Sequence, residues 1–185
     1  FSTFFGVAAV IYTTVAAITA FTSMLHYGTA EEAAPTLMVV VPIMTVIGIL
    51  VLRQNHGMHT TFDSHTAAIE TLSFLAKILT VEIIFLMLGL LILNRQGYFK
   101  DYVFGNQTSP ASYALVCPGV AFNVISFFFV HKGLLAVGMI AKFSLVYWAL
   151  LALPLIAQFM MIALVFRLNR QHFTRKAAAV AVPAE

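Results

Sequence analysis

Five apolar runs, each long enough to cross a bilayer, decide what this chain can fold into. They cover about residues 4–25, 36–52, 72–93, 111–130 and 138–166. A helix rises ~1.5 Å per residue and bilayer hydrocarbon is ~30 Å thick, so about 20 apolar residues make one crossing. Barrel strands alternate in polarity over about ten residues, whereas these runs are evenly apolar, so helices are the only reading. Composition agrees. Of 185 residues, 61% are hydrophobic and 9% charged, and the mean hydropathy is +0.96. The expected fold class is an all-α membrane protein with a transmembrane domain over 1–168 and a basic tail over 169–185.

The charge pattern orients the spans. The net charge is +3, but the basic residues gather beside spans rather than in a stripe, which excludes a nucleic-acid interface. Arg95, Lys100, Arg167, Arg170, Arg175 and Lys176 fall on the side where the first span ends, here called side B. Arg53, Lys77, Lys132 and Lys142 fall on the opposite side A, with Lys77 and Lys142 inside spans and long enough to reach outward. The excess predicts a multi-pass protein of the inner (plasma) membrane with a cytoplasmic C-terminus. The opening "FSTFFGVAAV" has no charged leader region, so the chain is expected to begin at or inside a membrane helix, either because the protein is processed or because further chain lies upstream of Phe1. The lone Cys117 excludes an intrachain disulfide.

A repeat organises the spans. The second and fourth both leave from side B and both carry a proline about seven residues in: "TLMVVVPIMTVIG" and "ASYALVCPGVAFN". Each is followed by an apolar span returning to side B, which makes a helical hairpin repeated with the same polarity. The first span is then the return limb of a hairpin that starts upstream.

Polar groups inside these spans are the candidate functional residues. Ser112, Val116, Gly119, Asn123 and Ser126 recur at helical spacing, so one small, polar face runs along the fourth span. Pro42, Thr45 and Gly48 match it on the second. Such a face either packs tightly against another helix or lines a lumen, and proline frees a carbonyl that only a buried or watered site can satisfy. Glu82 lies near the middle of the third span, where a carboxylate is costly and marks a candidate coupling or inter-helix hydrogen-bonding group. Five residues turn a helix by about 140° from Lys77 to Glu82, which excludes an ion pair along one face. The segment "RQNHGMHTTFDSH" reads as a side-A loop carrying His56, His59, Asp63 and His65, without a sharp metal signature. No nucleotide loop or nucleophile–base constellation is present, so the chain is expected to be neither an enzyme nor a metal or cofactor carrier. A competing reading is a membrane anchor subunit of an oxidoreductase, with haem or quinone held by His131 and the loop histidines.

The stretch "PASYALVCPGVAFNVISFFF", with "TLMVVVPIMTVIGIL" and "AKILTVEIIFLMLGLLIL" before it, resembles the tellurite-resistance/dicarboxylate transporter family of TehA-like proteins and plant slow anion channels. The likeness covers most of residues 4–168. It implies ten spans arranged as five hairpins around a central pore, of which this chain is the second half, and a homotrimeric assembly. It also implies passage of small anions along the outgoing limbs, here the second and fourth spans, past a phenylalanine gate. The position before Pro118 is Cys117 rather than an aromatic residue, so either the gate moves, with Phe122 as the candidate, or this chain is not gated by a phenylalanine. The function expected is an anion transporter or channel whose neutral lumen lets anions leave as well as enter.

Overall fold

The structure, a computed structural model, describes residues 2–28, 31–63 and 67–174. Among the described residues every regular element is helical: α1 (Ser2–Tyr27), α2 (Val40–Phe62), α3 (Ala68–Arg95), α4 (Val116–Phe128) and α5 (Leu145–Asn169). Five segments are long and apolar enough to span a membrane: Thr3–Met24, Glu31–Phe62, Ala68–Arg95, Pro110–Leu134 and Leu145–Phe173. The chain is therefore an all-α, multi-pass membrane fold. The tail beyond Thr174, with Arg175 and Lys176, and the loop residue His65 lie outside the described residues.

The two outgoing spans share a construction that their prolines explain. A tight 3-10 helix over Glu31–Val39 leads into α2, and another over Pro110–Leu115 leads into α4. Pro42 and Pro118 are each the third residue of the α-helix that follows. The first turn of an α-helix has no internal partners for its N–H groups, so proline there forfeits nothing. The prolines thus stand at a change of helix type, placed at the same point of both spans. The two 3-10 segments pack on each other, and the Ser109 hydroxyl donates to the Glu32 carbonyl at 3.4 Å.

Two other boundaries differ from expectation. α2 runs to Phe62, so His56 and His59 stand on its last turns rather than in a loop, and Asp63 closes the helix in a left-handed conformation at φ 53°. The fifth span starts at Leu145 and not near 138. Gly138 (φ 79°) and Phe143 (φ 64°) turn the chain, after which Ser144 Oγ accepts the Tyr147 N–H at 3.2 Å and starts the helix.

α4 is the most enclosed span and α1 the least. α4 packs against α5, α2 and α3, while α1 leans on α2, where Gly6 lets Leu50 and Gln54 approach. Near side B, Met38, Leu93, Tyr98, Tyr102 and Leu115 form one apolar cluster. Leu75, Ile78 and Ile125 form a second, deeper one. Wide apolar faces remain exposed, including Phe4, Ile18, Leu153 and Phe159, as expected of helices whose solvent is lipid.

A latch closes side B. Arg167 Nε donates to the Val103 carbonyl at 2.7 Å and its Nη2 to the Phe104 carbonyl at 3.2 Å, with the guanidinium 4.8 Å from the Phe104 ring centre. Gln171 Nε2 donates to the carbonyls of Gln107 at 2.7 Å and Gly105 at 3.3 Å. These side chains tie the end of α5 to the 103–107 turn, whose carbonyls no helix satisfies. Arg167→Ala is expected to raise amide hydrogen exchange over 103–107 by about thirtyfold, because two hydrogen bonds are each worth about 1 kcal/mol. Exchange measured in nanodiscs checks this, and unchanged protection would show that Gln171 alone holds the turn.

Candidate functional site

Small residues bring α2, α3 and α4 close enough for two polar side chains to meet. A Cβ on Gly48 would stand 3.3 Å from Ile125 Cδ1 and 3.6 Å from Ile78 Cγ2, so α2 approaches both neighbours through this glycine. One turn earlier on α2, Thr45 Oγ1 donates to Glu82 Oε1 at 2.6 Å. Glu82 is 0% exposed and Thr45 5%. Counting from Ala68, Glu82 is the fifteenth of the 28 residues of α3 and so sits at its middle. Its second oxygen, Oε2, is buried without a hydrogen-bond partner among the described residues. A carboxyl oxygen left dry in this way is costly, whatever the state of the group, because nothing replaces its hydration.

The expected polar face of the fourth span does not turn one way. Ser112 is buried, and its Oγ lies 2.9 Å from the Tyr98 hydroxyl, in the side-B cluster. Gly119 and Asn123 face α5. A Cβ on Gly119 would fall on the Cγ and Sδ of Met161, and Asn123 Nδ2 donates to Gln158 Oε1 at 3.1 Å. Asn123 Oδ1 is buried with no partner. Val116 and Pro42 are half-buried, Ser126 is buried, and the candidate gate Phe122 is 8% exposed. In the single chain, the space beside Gly48 is therefore taken by Ile125 and Ile78 and that beside Gly119 by Met161. Of the residues expected to line a lumen, Thr45 bonds to α3, Gly48 packs on Ile125 of α4 and Ile78 of α3, and Gly119 and Asn123 meet Met161 and Gln158 of α5.

The structure joins Thr45 to Glu82, two residues that helical periodicity singles out for different reasons. It also adds Gln158 and Pro154, which sequence reasoning missed. Pro154 lies inside α5 and is buried, and removes the bond that residue 154 would give to the Leu150 carbonyl. Gln158 stands one turn beyond it. The signal was present, since an amide and a proline four residues apart interrupt an otherwise apolar run.

The side-A histidine is engaged at both ring nitrogens. The Phe127 carbonyl can only accept, so His131 Nδ1 donates to it at 2.9 Å, and Nε2 lies 3.2 Å from the Tyr147 hydroxyl. The ring stacks on Phe127 at an interplanar angle of 8°. It fastens the end of the fourth span to the start of α5. Among the described residues, no group of three or more His, Cys, Asp or Glu side chains converges as a metal site needs. Comparison with family models, curated proteins and solved structures finds no match to the chain.

Proposed function

We propose that the chain is part of a membrane transporter of small anions in which Glu82 carries a coupled proton. The observation that carries this reading is the Glu82 carboxyl itself: fully buried at the middle of a span, held by Thr45 on one oxygen and bare on the other. A structural hydrogen bond needs only one acceptor there, which an amide or hydroxyl provides more cheaply than a group that ionises. A carboxyl that gains and loses a proton can take one across with an anion, which lowers the charge moved per cycle. The polar groups Asn123 and Gln158 on the α4–α5 seam, with Ser126, stand in for water along the path. On this reading the close-packed arrangement is the occluded state, and Phe122 remains the candidate gate. The resemblance to anion-conducting TehA-like proteins supports the choice of anions and a trimeric assembly. The excess of basic residues on side B supports a cytoplasmic C-terminus in the plasma membrane.

The test is uptake into proteoliposomes driven by a pH gradient, with nitrate, chloride and a small dicarboxylate as probes. Glu82→Gln keeps the size of the side chain and a donor–acceptor pair but cannot ionise. It is expected to remove the dependence on the pH gradient at least tenfold while leaving any downhill exchange in place. Gradient-driven uptake that survives Glu82→Gln would eliminate the coupling role, and absence of flux for every anion in the wild-type protein would eliminate transport of this class.

A further inference from the structure

Lys77 poses a problem that the transport reading does not solve. It is the tenth residue of α3, inside the part of the helix that hydrocarbon surrounds, and its side chain is exposed. Among the described residues it makes no ion pair. A lone ammonium facing lipid at this depth is strongly disfavoured unless it reaches the headgroups or meets an opposite charge. Around it, Ile69, Glu70, Ser73, Phe74 and Lys77 line a shallow, open cleft on the outer face of α3. Glu70, Ser73, Phe74 and Lys77 sit at helical spacings of three, one and three, so they form one stripe. Glu70 is exposed and is likewise without an ion pair among the described residues.

We infer that this cleft binds the headgroup of a zwitterionic phospholipid with a primary ammonium, phosphatidylethanolamine, in the side-A leaflet. The order of charges carries the inference. Seven residues place the backbone of Lys77 about 10 Å deeper than that of Glu70. In such a lipid the phosphate lies beneath and the ammonium is outermost. Lys77, reaching outward along its own stem, meets the phosphate, and Ser73 one turn up adds a hydroxyl donor. Glu70 at the headgroup level meets the ammonium. Ile69 and Phe74 form apolar walls for the glycerol and upper acyl carbons. Phosphatidylglycerol would bring phosphate to Lys77 but ends in a neutral glycerol, so Glu70 gains no opposite charge. A choline headgroup has no N–H to give the carboxylate, so its charge stays farther off. Both are therefore bound less firmly.

The experiment places the full chain in phosphatidylcholine vesicles with trace acyl-chain spin-labelled phosphatidylethanolamine, phosphatidylglycerol or phosphatidylcholine, and reads the motionally restricted fraction of each. The wild-type protein is expected to hold phosphatidylethanolamine about fivefold over phosphatidylcholine, the scale of exposed charge pairs. Lys77→Gln is expected to erase that preference and Lys77→Arg to keep it. Glu70→Gln is expected to exchange it for a preference for phosphatidylglycerol. A wild-type protein that holds phosphatidylglycerol as firmly as phosphatidylethanolamine would overturn the inference, as would a preference that survives Lys77→Gln. Loss of an oligomer on Lys77→Gln, seen as a change of mass, would also overturn it, by showing that a second copy covers Lys77. All of these readouts are independent of transport.

Discussion

Thr45→Val is expected to destabilise the protein more than Thr45→Val combined with Glu82→Leu. Among the described residues, the single change removes the only donor to Glu82 Oε1, in a place where the carboxyl is 0% exposed and its Oε2 already lacks a partner. The whole group is then dry, at a loss of about 1–3 kcal/mol for the stranded acceptor. The double change takes away both polar partners and fills their space with carbon, which buried pairs tolerate with little or no loss. Glu82→Leu alone lies between, because the freed Thr45 hydroxyl can turn back to a carbonyl one turn earlier on its own helix. Thermal unfolding in one detergent, followed by intrinsic fluorescence of Trp148, gives the order directly. The same three proteins separate stability from function: the double variant is expected to fold like wild type yet lose uptake driven by a pH gradient. A Thr45→Val protein as stable as wild type would mean that the 2.6 Å bond contributes nothing to the fold.

Much of this architecture was legible in the amino-acid order, and the part that was not has a common cause. Five spans follow from the apolar runs, because lipid enforces helices of that length. Thr45, Glu82 and Asn123 stood out because polar atoms in such runs are conspicuous. Their partners did not, since the pairs are 37 and 35 residues apart and depend on how one helix is rotated against another. Periodicity fixes which residues share a face of one helix but leaves open which neighbour that face meets. So Ser112, Gly119 and Asn123 were read as one stripe, whereas Ser112 bonds Tyr98 from the side-B turn and Gly119 and Asn123 are claimed by α5. The prolines misled in a similar way. Pro42 and Pro118 mark a discontinuity in either reading, and only the chain before them, wound as 3-10 helix, decides that it is a junction and not a bend. His56 and His59 were assigned to a loop because polar residues dominate there, yet α2 simply continues past the apolar run.

Gly119→Leu is expected to be the most damaging single change in the α4–α5 seam, and Met161→Ala is expected to rescue it. Gly119 is buried, and the position its Cβ would occupy is already held by the Cγ and Sδ of Met161. Alanine can be admitted if Met161 changes rotamer, because a thioether chain is flexible, at about 1–3 kcal/mol for the added crowding. Leucine cannot, and forces the helices apart. Separation also breaks the Asn123–Gln158 bond at 3.1 Å, one turn further along, leaving amide groups unpaired in hydrocarbon. Shortening Met161 to alanine opens the volume that the new side chain needs, so the double variant is expected to recover most of the lost stability. Two distant, independent sites would add their losses instead. The seam has a functional consequence that the pairing makes separable. If anions pass where Asn123 and Gln158 face each other, wedging α4 from α5 raises downhill flux in Gly119→Leu, and closing the gap with Met161→Ala lowers it again. Flux that ignores both changes, in proteins shown by their unfolding temperatures to be wedged and rescued, would place the path elsewhere in the bundle and leave the α4–α5 seam as packing alone.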